Sequence, residues 1–271
     1  MLWLERTPIW LIGFLILIGL IVAEQLGYAA RRLTVSRGGP EPSNESVGYI
    51  VTGALALLGL LVAFTFSAAS DRYDTRRQLV VEEANALGTT YLRAQALDPA
   101  PRAALSPLIA QYAHARDRWL QAGEDAAQIA RAQAETEALQ DRIWAATVAD
   151  IRANPTATIN PSLLQTTNDM FDVSASIRAA FDGRLPISIL RAMIAYALIA
   201  AAIMGFAMAA ERRQAVLSAA LYLALAVAIC LILDLDRPRA GSVTLPRAPM
   251  DRAIAAIDAA EAARAKSPPA P

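Results

Sequence analysis

The chain has 271 residues, 55% of them hydrophobic and 18% charged, and its 25 basic and 25 acidic side chains cancel. Balanced charge removes the general case for nucleic-acid binding, which needs a basic surplus on one face. A single cysteine, Cys230, and a single histidine, His114, rule out an intrachain disulfide and leave no zinc-ligand set.

No nucleophile motif, phosphate-cradling glycine loop or dinucleotide fingerprint is present, so neither an enzyme nor a bound cofactor or metal is expected. Apolar residues are instead concentrated in four nearly charge-free stretches, about residues 8–30, 47–69, 188–210 and 214–233. Each is roughly 20 residues long, enough to cross a hydrocarbon core about 30 Å thick. The expected fold is all-α: an integral membrane protein with four transmembrane helices and a helical insert between the second and third. The divisions are helices 1 and 2 within 1–69, the insert over 70–186, a helical hairpin over 187–236 and a C-terminal tail over 237–271.

The first stretch, "IWLIGFLILIGLIVA", could serve as a signal peptide. Its apolar run continues from Leu26 to Ala30 and meets Arg31 without a convincing cleavage site, which favours an anchor. The following "RRLTVSRGGPEPSNES" carries Gly38, Gly39, Pro40 and Pro42, so a loop is expected there.

The second stretch places Gly53, Ala56, Gly59 and Ala63 at spacings of three to four. Small residues in lipid let helices approach closely, and they also suit a stripe facing a pore. Leu60 and Phe64, four apart on an adjoining line, would supply a constriction. No proline occurs between Pro42 and Pro99, so the helix can run on through Ala96. That makes about 50 residues, roughly 75 Å at 1.5 Å each. Beyond the apolar part, Tyr73, Val80, Ala84, Leu87 and Tyr91 form a line expected to be core. Glu82 and Glu83 beside it could reach Arg76 or Arg77.

Asp98-Pro99 starts the next helix and Gly123 stops it. Another runs from about Asp125 to Ala153, "NPTATINPS" interrupts, and Asn160-Pro161 opens one more to about Phe181. Asp182 to Pro186 returns the chain to the membrane. The third and fourth stretches then form a hairpin whose only polar tip is Glu211, Arg212 and Arg213. Arg191, one turn inside the third, can extend to the interface. Asp234, Asp236, Arg237 and Arg239 close the fourth before a tail ending in prolines.

If all four stretches cross, the termini and insert share one side. Arg6, Arg72, Arg76, Arg77, Arg178, Arg184, Arg237, Arg239 and Arg247 flank the spans there, against Arg31, Arg32, Arg37, Arg212 and Arg213 opposite. Basic flanks stay in the cytoplasm, so a cytoplasmic insert is expected.

"FTFSAASDRYDTRRQLVVEEANALGTTYLRA" and the later "ILDLDRPRAG" resemble the bestrophin-like-domain proteins of bacterial membranes, over roughly residues 8 to 245. The resemblance implies a homo-oligomer, a pentamer by analogy with bestrophin anion channels, in the bacterial inner membrane. Its partners would be lipid, further copies of itself and inorganic ions, anions first. It implies a pore lined by the second transmembrane helix, with Phe64, Leu60 and Ala56 as the neck. Thr65, Ser67, Ser70, Arg72, Arg76 and Arg77 would then line the exit and vestibule. Tyr73 takes the place of the family's first tryptophan, whereas Asp74 departs from the second. Asp234 and Asp236 alone are too few for the calcium-binding cluster of animal bestrophins. The competing function is a non-conducting scaffold or sensor whose insert binds a partner.

Overall fold

The computed structural model describes residues 7–38, 44–207 and 214–266. Arg6, Gly39, Pro40, Pro42, Glu211, Arg212 and Arg213 lie outside them. The described residues are helical, with no strand: α1 Ile9–Ser36, α2 Asn44–Gln95, α3 Pro99–Gln121, α4 Ala126–Ala153, α5 Asn160–Asp182, α6 Ile187–Ala207, α7 Gln214–Asp236 and α8 Ala248–Lys266. Four helical stretches are long and apolar enough to cross a membrane. The chain divides into two compact units, Met1–Tyr73 with Arg184–Val243, and Asp74–Gly183 with Thr244–Pro271. Helix α2 contributes to both.

In the first unit, α1 and α6 cross at two glycines. A Cβ on Gly27 would lie 1.9 Å from the Ala202 carbonyl oxygen, and one on Gly205 equally close to that of Glu24. Only glycine permits this backbone approach, the use lipid-embedded helices make of small residues. One turn further along, the buried Arg31 donates to the carbonyls of Phe206 and Ala207 at 3.2 and 3.0 Å. Its guanidinium thereby ties α1 to main-chain acceptors of α6. Leu20, Leu58, Ala197, Ala201 and Tyr222 pack into one cluster, and Ile12, Ala69, Met193, Ile229 and Leu233 into another.

The end of α7 is a knot of backbone recognition. Asp236 accepts the Leu185 N–H at 3.0 Å just ahead of α6, while Arg184 donates to the Asp236 carbonyl at 2.8 Å. Asp234 accepts from the N–H groups of Ser242 and Val243 at 2.8 and 3.0 Å, and from the Ser242 hydroxyl at 2.5 Å. Arg237 donates to Thr7 O at 3.1 Å, just ahead of α1. The two carboxylates therefore hold loops. Among the described residues no three His, Cys, Asp or Glu side chains gather to hold a metal ion.

The second unit is a helical bundle. Leu87 and Tyr91 of α2 pack with Leu105, Ile109 and Tyr112 of α3, Leu139 and Ile143 of α4, and Leu163 and Met170 of α5. Trp119 and Phe181 meet at 5.1 Å between ring centroids. Asp125 caps α4 by accepting from the N–H groups of Ala127 and Gln128 at 2.9 and 3.2 Å. Those bonds favour the carboxylate and hold its pKa below the usual range. The segment from 237 onward, treated as a tail by sequence, contains α8, whose Met250 and Ile257 enter the bundle core. His114 and Asp258 pair at 3.0 Å, and Tyr91 donates to Glu261 at 2.8 Å, fastening α8 from two helices.

Glu83 does not take up the local arginine partner expected for it. It faces inward from the Val80–Ala84–Leu87 line and pairs with Arg116 of α3, both side chains fully buried. Arg116 also lies over the Trp119 ring, 4.7 Å from its centroid.

Candidate functional site on the second span

The membrane part of α2 has two unlike sides. One buries Leu58, Thr65 and Ala69 against the first unit's other helices. The other leaves Phe64 66% and Leu60 50% exposed, with Ala56 and Ser67 exposed beside them. At about 100° per residue, Leu60 and Ser67 fall within about 60° of Phe64, and Asp71 within about 20°. Asp71 is exposed too. Exposure alone distinguishes little, since Trp10 of α1 is 72% exposed.

The small residues are more discriminating. A Cβ built on Gly53 or Gly59 meets nothing within 4 Å, in contrast to the tight crossing at Gly27 and Gly205. Close packing inside the subunit thus does not account for the glycines of the second span.

The structure separates the remaining residues singled out by sequence. Thr65 lies about 100° from Phe64, is 3% exposed, and donates to the Leu61 carbonyl at 2.7 Å. Ser70 and Arg72 are half-buried. Arg76 is 1% exposed and donates to Ala180 O and Gly183 O at 3.0 and 2.9 Å. It thus satisfies carbonyls at the end of α5, and its charge is spent inside the bundle. Arg77 is exposed and sits 3.6 Å from Asp74. The arginines of "DRYDTRR" therefore do not form one set: one is buried, one is half-buried and one is paired with a carboxylate.

Sequence reasoning overlooked the Arg31 bonds to α6 and the Glu83–Arg116 pair. A carboxylate standing on an apolar helical line was the available signal for the second. A guanidinium bonded to main-chain carbonyls of a distant helix leaves no local pattern.

The Bestrophin-like domain profile matches residues 18–250, most of the chain. Among solved structures, two point variants of a bacterial bestrophin homologue from Klebsiella pneumoniae share the fold. One has a TM-score of 0.68 at 11% identity, covering 90% of this chain and 96% of that one. The other has a TM-score of 0.65 at 13% identity, covering 90% and 99%. A further membrane protein, also a point variant, gives a TM-score of 0.64 at 12% identity, covering 95% and 99%. No curated protein matches the sequence.

Proposed function

The chain belongs to the Bestrophin-like domain family, and from that premise we propose that it forms an oligomeric ion channel whose conduit runs along α2. The family is channel-like rather than enzymatic. Several copies, five by the family analogy, would meet along the exposed side of α2, with Phe64 and Leu60 as a hydrophobic neck and Ala56 widening it. A ring of such side chains gates by excluding water. The observation that carries this reading is the pairing, on one side of one helix, of an exposed Phe64 with Gly53, about 20° away, where an added Cβ would meet nothing in its own subunit. Ser67 and the half-buried Ser70 supply hydroxyls beyond the neck, and Arg72 and Arg77 the basic charge. Thr65 and Arg76 serve packing instead. The termini and insert face the cytoplasm, on the arginine excess along that side.

Anions are the permeant ions that the family analogy implies. A cation reading is favoured by one observation: Asp71 follows Phe64 on the same line of the helix, while Arg76 is withdrawn into the bundle. Reconstitution in planar bilayers tests both. A conductance enlarged by Phe64→Ala supports the channel, and the reversal potential under a salt gradient gives the sign of the ion. Silence across salts and voltages supports a scaffold or sensor.

A further inference from the structure

Several arginines of the membrane-spanning unit are held by main-chain carbonyls. Arg31 is held by the carbonyls of Phe206 and Ala207, Arg184 by that of Asp236, and Arg237 by that of Thr7. Arg191 is exposed and has no hydrogen-bond or ion-pair partner among the described residues. It lies four residues beyond the start of α6, about 6 Å along the helix, within reach of the interface for a long side chain.

Arg191 also lines an open-sided cavity of about 320 Å³ between α1, α6 and α7. Ile12, Leu15 and Ile16 form one wall, with Leu190, Ile194 and Leu233 among the others. Every other lining side chain is aliphatic or absent, because Gly19 and Ala197 supply the small positions. The volume lies in the range of ordinary ligand pockets, about 300–1,000 Å³.

We propose that this cavity seats an acyl chain of an anionic phospholipid, with the headgroup phosphate on the Arg191 guanidinium. An apolar trough in a membrane-spanning unit is filled by hydrocarbon, because water finds no polar partners there. A guanidinium on its lining attracts an anion, and its planar fork matches phosphate oxygens. A zwitterionic headgroup brings a cation that competes for the same phosphate, whereas an anionic headgroup does not. Basic side chains between transmembrane helices recognise anionic lipids by this means.

Native mass spectrometry of the detergent-purified full chain, offered phosphatidylglycerol and phosphatidylcholine in equal amounts, tests the assignment. Phosphatidylglycerol should be retained about fivefold better, the effect of one basic residue near the membrane surface. Arg191→Gln should abolish the preference and Arg191→Lys keep part of it. Ile194→Trp, which fills the trough but leaves the arginine, should lower retention of both lipids. Equal retention by the natural chain, or an unchanged preference in Arg191→Gln, would overturn the proposal. So would Ile194→Trp dissociating the oligomer with lipid retention intact, since a second copy would then occupy the trough. Lipid counts are read without any ion current, so they are independent of whether the protein conducts.

Discussion

The carboxylate of Glu83 on α2 accepts a hydrogen bond from the Arg116 Nε on α3, and both side chains are fully buried in the helical bundle. Removing one partner leaves an uncompensated charge in the core, which costs about 3–5 kcal/mol. Glu83→Ala or Arg116→Ala should therefore strongly lower the denaturant midpoint of the purified protein. Replacing the pair together with leucine and methionine should recover much of the loss, because the desolvation penalty disappears with the charges. A double variant that loses the sum of the single losses would show that the two side chains do not act as a unit.

The glycines of the first unit make a second, positional test. Alanine at Gly27 or Gly205 would put a methyl group 1.9 Å from a carbonyl oxygen. Either variant should lose monodispersity in fluorescence-detected size exclusion, as α1 and α6 are forced apart. Alanine at Gly53 meets nothing in its own subunit, so the subunit should fold normally. A normal profile for Gly205→Ala would contradict the crossing.

The pH dependence of α8 docking follows from Tyr91. Burial first, then its hydrogen bond to Glu261, raises the phenol to about 12 from its usual 10. A raised phenol pKa favours the protonated form in the folded state. The stabilisation is therefore complete below pH 10 and is lost as pH rises from about 10 to about 12. Hydrogen exchange of Ala248–Lys266 should accelerate across that window, and Tyr91→Phe should remove the step associated with it.

Much of the fold was legible because the controlling signals are local. Four apolar runs of membrane length became the spans, and Asp98-Pro99, Gly123 and "NPTATINPS" mark helix boundaries of the insert. The unbroken second helix followed from the absence of proline, and it spans Asn44–Gln95. Helix α8 was harder to read. Its alanine-rich sequence offers only Met250 and Ile257, seven apart, as strongly buried anchors, too sparse a stripe to separate a docked helix from a tail. Tertiary partners were invisible for a different reason. Neighbours three or four residues apart can be guessed from spacing, but the partner of Glu83 comes from a helix more than 30 positions away. For the candidate site, spacing put Leu60 and Phe64 on a common line. It could not say that Arg76 would turn inward to the end of α5 while Phe64 stayed exposed.

The central claim is that Phe64 faces an axis shared by copies of the chain. Phe64→Cys in a Cys230→Ser background carries one thiol per subunit, and oxidation in native membranes followed by non-reducing electrophoresis reads proximity between copies. Disulfide-linked dimers at Cys-substituted position 64, absent from a parallel Trp10→Cys control on α1, are the expected result. Failure to cross-link in an otherwise intact oligomer, or cross-linking no better than the control, would place Phe64 against lipid and contradict the conduit.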